Sequence, residues 1–127
     1  MDGAVNRGEI WLAQVGRKNR PVLVLTRTDV IDVRRLVTVA EITTQARGLA
    51  VEVEFDSVAA GLEFPSVINC DGLHTITQTS LTSRIGEVND ETLINVSHAV
   101  NYALGCYAFA RLGRLFPSPI EQVVRSC

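Results

Sequence analysis

The spacing of apolar residues changes once along the chain, and this change constrains the fold more than any other feature. In the first two-thirds of the chain, apolar and β-branched residues form short runs between turn residues, as in Pro21–Thr26. After Asn89 the apolar residues recur at helical spacing instead. The residues on that helix face are Leu93, Val96, Val100, Ala103 and Tyr107. Short strands followed by one helix predict an α+β, mainly β protein: a small twisted antiparallel sheet or barrel with a C-terminal helix.

The individual elements follow from the same patterns. The predicted strands are Glu9–Val15, Pro21–Thr26, Leu36–Thr43, Ala50–Phe55, Phe64–Asn69 and Thr75–Ser80. Asn89 is predicted to cap the helix, because Asp90 and Glu91 would then lie at its positive end. The helix is expected to run from Asn89 to Phe109, with Gly105 as the weak point.

Composition excludes several classes of protein. The chain has 127 residues, 46% hydrophobic and 20% charged, which fits one folded domain and excludes wholesale disorder. Three widely spaced cysteines and two histidines favour neither a disulfide scaffold nor a metal site. The uncharged stretch 92–110 carries polar residues at helical spacing, which indicates a half-buried helix and not a membrane span. We expect a cytoplasmic protein without metal or cofactor.

Positive charge is concentrated near the N-terminus. Between Arg7 and Arg47 there are eight basic and four acidic residues, although the net charge of the chain is −2. This segment could form an anion-binding patch, or its arginines could only solvate exposed strand faces. Three places carry candidate chemistry: Arg20, the segment Thr43–Gln45 and the segment Asp71–Thr75. By themselves these residues do not select a reaction.

Three sequence blocks, taken together, resemble a known family. Arg7–Trp11, Asn19–Val24 and Ala40–Gln45, in this order and spacing, are similar to blocks of the MazF/PemK family of toxin endoribonucleases. Further agreement is found at Ser66–Ile68, Asp71–Ile76 and the helix from Asn89 to Phe109. The resemblance implies a toxin domain over residues 1–109, with a fold of the MazF/CcdB type. Residues 110–127 would be an extension of it, not a second domain, and the sequence leaves their role open.

The resemblance also implies a reaction. The family cleaves single-stranded RNA as a homodimer without a metal, and its catalytic arginine and threonine correspond to Arg20 and Thr43. The ribose 2′-OH attacks the adjacent phosphate, leaving a 2′,3′-cyclic phosphate and a 5′-OH end. The protein has to hold the attacking geometry and stabilise charge on the phosphate, for which a forked guanidinium is well suited. The residues expected to contact RNA are Arg17, Lys18, Thr44, Gln45, Asp71 and Thr75.

The first loop departs from the family pattern. It is shorter, and it lacks the acidic residue that is sometimes proposed as the general base. His74 stands where relatives commonly carry Arg or Lys, and imidazole suits acid or base chemistry near neutral pH. Glu41 lies two residues before Thr43 and so projects from the same strand face. Either residue could replace the missing group. Alternatively, His74 is a packed or surface histidine and Glu41 a solvent-facing charge.

The resemblance implies partners as well. The substrate would be messenger RNA or an RNA loop such as those of transfer or ribosomal RNA, with bases read in single strands. A cognate antitoxin would inhibit the toxin by laying an acidic segment into the RNA groove. Two alternatives stay open on the sequence alone: a CcdB-like toxin that binds gyrase without enzymatic activity, and an inactive interaction module.

Overall fold

The computed structural model describes residues 4–105, which form one antiparallel sheet and a helix that packs on it. The strands of this region are β1 (Glu9–Val15), β2 (Lys18–Val24), β3 (Leu36–Thr43), β4 (Glu52–Glu54), β5 (Val67–Thr77) and β6 (Leu81–Glu87). The helices are α1 (Thr28–Ile31) and α2 (Asp90–Ala103), and a 3₁₀ turn (Gln78–Ser80) joins β5 to β6. The strand order is β4-β5-β3-β2-β1-β6, and neighbouring strands are antiparallel. The predicted fold class is confirmed.

Several boundaries differ from the sequence prediction. The predicted strands Phe64–Asn69 and Thr75–Ser80 both overlap one strand, β5, which is interrupted by a bulge; residues 64–66 precede this strand, and Gln78–Ser80 form the 3₁₀ turn. Strand β6 was not predicted, because most of its residues are polar or small and exposed. The short helix α1 was not predicted either.

Helix α2 is shorter than predicted. It ends at Ala103, and Gly105 follows with a φ of 79°, a left-handed backbone conformation that commonly terminates helices. The prediction that the helix reaches Phe109 is therefore wrong. Residues 106–109 and the extension 110–127 lie outside the described residues.

Both faces of the sheet are covered, and β3 shows this most clearly. Ala40 and Ile42 point to the core that contains Val96 of α2, which we call the helix-side core. Val37 and Val39 point to a second core on the opposite face. Burial on both faces explains why β2 ends in a continuous apolar run instead of an alternating one.

The register of β2 and β3 positions the polar ends of these strands. Val22 pairs with Glu41, Leu23 with Ala40 and so on along the strands. Continued by two residues, this register puts Arg20 opposite Thr43. A slip by one residue would move each side chain of β3 to the opposite face and put Glu41 into the helix-side core, which disfavours the slip and so fixes the register. The two residues expected to be catalytic are thereby brought together.

The predicted cap of α2 is present and can be tested. Asn89 has an extended backbone, and its Oδ1 accepts a hydrogen bond of 2.8 Å from the backbone N–H of Thr92. The substitution Asn89→Ala should lower the free energy of unfolding by about 1 kcal/mol, because a helix-end N–H loses its partner. Asn89→Asp, which keeps an acceptor, should change it little. Urea unfolding measures both variants; equal stability of Asn89→Ala and the wild type would contradict the assignment.

Candidate active site

A small cavity opens where β2 and β3 reach the edge of the second core. Arg20 lines it from β2, and Glu41 and Thr43 line it from β3. Its volume is about 200 Å³, and its lining is completed by Gln45, Arg47, Glu52 and Asn69. Thr43 and Glu41 share a strand face, as the period-two argument predicts. We call this the Arg20 cavity.

The carboxylate of Glu41 connects two candidate residues. Its Oε1 accepts a hydrogen bond of 3.1 Å from Nη1 of Arg20, and its Oε2 lies 2.6 Å from Nε2 of His74. The side chain of Glu41 is 21% exposed, whereas those of Arg20 and His74 are 38% and 35% exposed. Glu41 is therefore held between them, while both partners keep an open side.

The Thr43 hydroxyl has a free proton to donate. Its Oγ1 accepts a hydrogen bond of 3.1 Å from the backbone N–H of Gln45. A hydroxyl carries one proton and two lone pairs, so using one lone pair leaves the proton available. Thr43 can therefore donate to an oxygen of a bound anion in the Arg20 cavity.

A second arginine reaches the cavity from the loop after β3, and sequence reasoning did not identify it. The carboxylate of Glu52 accepts backbone N–H bonds from Arg47 (2.9 and 3.1 Å) and from Leu49 (3.1 Å). Desolvation opposes ionisation of Glu52, but hydrogen bonds from the Leu49, Arg47 and Gly48 backbone and the charge of Arg47 outweigh it and lower its pKa. Glu52 thus holds the loop that carries Arg47.

A bulge in β5 forms the neighbouring wall. Glu41 pairs with Asn69 and Ala40 pairs with Leu73, so three extra residues are inserted opposite β3. The bulge packs tightly: a Cβ at Gly72 would lie 3.1 Å from both Asn69 Nδ2 and Glu41 Oε2. The glycine therefore lets the bulge approach the Glu41 carboxylate closely.

Cys70 of this bulge points away from the cavity. Its side chain is fully buried in the helix-side core, and Sγ lies 4.0 Å from the carbonyl oxygen of Val96. Burial raises the pKa of its thiol to about 11. Cys70 is consequently a packing residue and not a nucleophile of this site.

The other residues predicted to contact RNA lie at varied positions. Gln45 lines the Arg20 cavity, and Thr44 is exposed beside it. Arg17 and Lys18 are exposed at the turn between β1 and β2, and Asp71 is exposed in the bulge. Thr75 lies apart from the cavity: its hydroxyl bonds that of Thr38 at 3.2 Å, and it lines another cavity with Arg34 and Arg35.

Within residues 4–105, no three His, Cys, Asp or Glu side chains come close enough to hold a metal ion. No helix of the same region is long and apolar enough to cross a membrane.

Comparison with known proteins identifies the family. The family described as "PemK-like, MazF-like toxin of type II toxin-antitoxin system" matches residues 6–104, most of the chain. The chain belongs to this toxin family. The resemblance noted from the sequence blocks is therefore confirmed.

Similar family members come from Mycobacterium tuberculosis. The toxin is 34% identical over 102 residues to the probable endoribonuclease MazF2, covering 80% of this chain and 100% of that protein. It is 51% identical over 77 residues to the endoribonuclease MazF3, covering 61% of this chain and 73% of that protein. Among solved structures, the toxin MazF-mt6 is 42% identical with a TM-score of 0.71, covering 76% of this chain and 96% of that one.

The lowered pKa of Glu52 predicts how the Arg47 loop responds to pH. The ionised carboxylate accepts the loop N–H bonds, so these bonds should persist above the Glu52 pKa and be lost as pH falls through it. NMR should show the amide protons of Arg47 and Leu49 titrating together, with a midpoint below the ordinary ~4.3 of glutamate. Glu52→Gln should abolish this titration, whereas Glu54→Gln, at an exposed position on the same strand, should leave it intact. A midpoint at or above the ordinary value would contradict this assignment.

Proposed function

We propose that this toxin cleaves single-stranded RNA at a phosphate bound in the Arg20 cavity, without a metal ion. One observation carries the proposal: a guanidinium and a hydroxyl with a free proton, on neighbouring strands, line the same cavity. The relatives support it, because MazF2 and MazF3 are named endoribonucleases.

The reaction uses the substrate's own nucleophile. The ribose 2′-oxygen attacks the adjacent phosphorus, the bond from phosphorus to the 5′-oxygen breaks, and a 2′,3′-cyclic phosphate and a 5′-OH end result. Negative charge accumulates on the non-bridging oxygens as the phosphorus becomes five-coordinate. A preorganised cation and hydrogen-bond donor at these oxygens lower the barrier without a metal.

Arg20 and Thr43 provide different donors to the phosphate. Among the described residues, Arg20 is bonded only through Nη1, to Glu41, so Nε and Nη2 can donate to phosphate oxygens. Glu41 meanwhile holds the guanidinium in place. Thr43 donates its proton to the same phosphate and keeps it in register with the 2′-OH.

Arg47 extends the anion site. It lines the same cavity as Arg20, on a loop that Glu52 fixes, and so can bind a flanking phosphate of the RNA. Gln45 and Asn69, also on the lining, carry amides that can bond the edges of unpaired bases. Thr44, Arg17, Lys18 and Asp71 are proposed as further RNA contacts, and Thr75 as a more distant one.

The biological setting follows from the family. We assign the protein to a toxin–antitoxin pair acting in the cytoplasm, as a homodimer whose cognate antitoxin competes with RNA for this cavity. The substrate is messenger RNA or a structured RNA loop. The gyrase-binding alternative is not favoured, because a protein that only binds gyrase has no use for Arg20 and Thr43 in one cavity.

The catalytic pair can be tested by substitution. Arg20→Ala and Thr43→Val should each lower the cleavage rate at least ~100-fold, since each removes a preorganised donor to the transition state. Arg20→Lys should stay well below the wild type because the fork is lost, and Thr43→Ser should retain most activity. Cleavage is measured in EDTA on a long RNA, with primer extension to map cuts and end-group analysis to detect the cyclic phosphate.

Arg27→Ala is the matched control, because Arg27 is an exposed arginine outside the cavity lining. It should cleave like the wild type, and circular dichroism should show that all the variants are folded. Cleavage that requires a divalent metal, or full activity in Arg20→Ala, would contradict the proposed function.

Arg47 should contribute mainly to binding. Arg47→Ala should weaken binding of an uncleavable 2′-O-methyl RNA and reduce the salt slope of the binding constant by ~0.7, as loss of one phosphate contact requires. Fluorescence anisotropy over a range of salt concentrations measures both effects. An unchanged slope would show that Arg47 does not contact a phosphate.

A further inference from the structure

We propose that His74 is the general base of the cleavage reaction and that Glu41 is the residue that positions it. This proposal rests on the proposed function and adds the group that takes the 2′-OH proton. It addresses a chemical need that Arg20 and Thr43 leave unmet, because a guanidinium stays protonated and a threonine hydroxyl is a poor base.

The geometry selects the imidazole. Nε2 of His74 lies 2.6 Å from Oε2 of Glu41, while the other oxygen of this carboxylate binds Arg20. A single carboxylate therefore fixes the cation and the imidazole relative to each other. His74 stands next to the Arg20 cavity and not in its lining, and its side chain is 35% exposed, so part of the ring is open to substrate.

The hydrogen bond also selects the tautomer. A carboxylate only accepts hydrogen bonds, so Nε2 of His74 carries the proton and donates it to Glu41. In the neutral imidazole this leaves the lone pair on Nδ1. Nδ1 is thus the atom that can accept a proton from substrate, with Glu41 in the orienting position that a carboxylate occupies in catalytic triads.

The proposed step transfers one proton to His74 and one proton from water. Nδ1 takes the proton of the 2′-OH while the bond from the 2′-oxygen to phosphorus forms. The bond from phosphorus to the 5′-oxygen breaks, and the leaving 5′-oxygen takes a proton from water. The imidazolium, stabilised by Glu41, then returns its proton to the solvent. No metal, oxidant or cofactor enters the step.

The pairing of β3 with β5 makes this arrangement possible. His74 pairs with Val39, two residues before Glu41, whereas Glu41 itself pairs with Asn69 across the inserted residues. The charged groups bonded into the cluster, within residues 4–105, are Glu41 from β3 and Arg20 from β2. From the same strand as His74, Asp71 adds an exposed carboxylate in the bulge.

The first test is the rate of His74→Ala and His74→Gln on an RNA with a mapped cut site. We expect kcat to fall about 100-fold or more, the range typical of general acid–base catalysis, with little change in KM. The rise of the wild-type rate with pH should be lost in both variants, and added imidazole should restore part of the rate of His74→Ala. His98→Ala, at an exposed position on α2, is the matched control and should keep the wild-type profile.

A second test distinguishes positioning from catalysis. Glu41→Gln should retain a folded protein, and it should lower kcat in the wild type far more than in His74→Ala, because Glu41 acts by orienting the imidazole. Glu41→Asp should recover part of the rate. Glu54→Gln, an exposed glutamate on β4, should change neither quantity. An equal fall of kcat in the wild type and in His74→Ala would show that Glu41 does not act through His74.

A third test separates a general base from a general acid. An RNA with a bridging 5′-sulfur has a leaving group that needs no proton, so a variant that lacks only the acid should cleave it at the wild-type rate. The defect of His74→Ala should persist on this substrate. The proposal would be overturned if His74→Ala cleaved the 5′-sulfur RNA at the wild-type rate. It would also be overturned if His74→Ala had the wild-type rate and pH profile on ordinary RNA. If either result is found while Arg20→Ala is inactive, the assignment of His74 is wrong but the proposed ribonuclease function is not. If the wild type fails to cleave RNA in EDTA, the proposed function itself is wrong.

Discussion

The pairing of β2 with β3 is the constraint on which the rest of the site depends. β3 sends Val37 and Val39 into the second core and Ala40 and Ile42 into the helix-side core, and a shift of its register by one residue would exchange these sets and bury Glu41 in the helix-side core. In both strands, polar residues lie next to the buried apolar residues. The buried part of the sheet therefore fixes the positions of Arg20, Glu41 and Thr43 at its edge. The positions of the side chains in the site are therefore determined by apolar packing outside the site.

Electrostatics then organises the side chains. The Glu41 carboxylate offsets the charge of Arg20 while using only one of its donor atoms, so the guanidinium is held in place and still has free donors. The second oxygen of the same carboxylate binds His74. The turn between β1 and β2 carries no acidic residue, and Glu41 brings a carboxylate to the site from β3. This role of the Glu41 carboxylate is part of the proposed mechanism.

The sequence predicted the regular parts of this structure well. Glu9–Val15 and Leu36–Thr43 agree with β1 and β3 to the residue, because both have strong β-forming apolar runs between clear turn signals. The cap at Asn89 and the shared face of Glu41 and Thr43 follow from local chemistry and were also predicted. Strand β6 was missed because pairing with β1 outweighs its weak apolar pattern.

Contacts that depend on irregular backbone could not be predicted. The approach of His74 to Glu41 depends on the pairing of His74 with Val39 across β3 and β5, and no local pattern reports this register or the size of the bulge beside it. Arg47 was not singled out because its position depends on Glu52, five residues later, accepting backbone N–H groups of the loop. Long-range strand register and loop capping thus determine contacts that the spacing of residues along the sequence does not predict.

The central claim is that Arg20 and Thr43 hold one and the same phosphate. A crystal structure of the toxin with a 2′-O-methyl RNA, which binds but cannot be cleaved, tests it most directly. The scissile phosphate should lie in the Arg20 cavity, with the guanidinium and the Thr43 hydroxyl each about 3 Å from its non-bridging oxygens. A scissile phosphate bound elsewhere, or one that touches neither side chain, would contradict it.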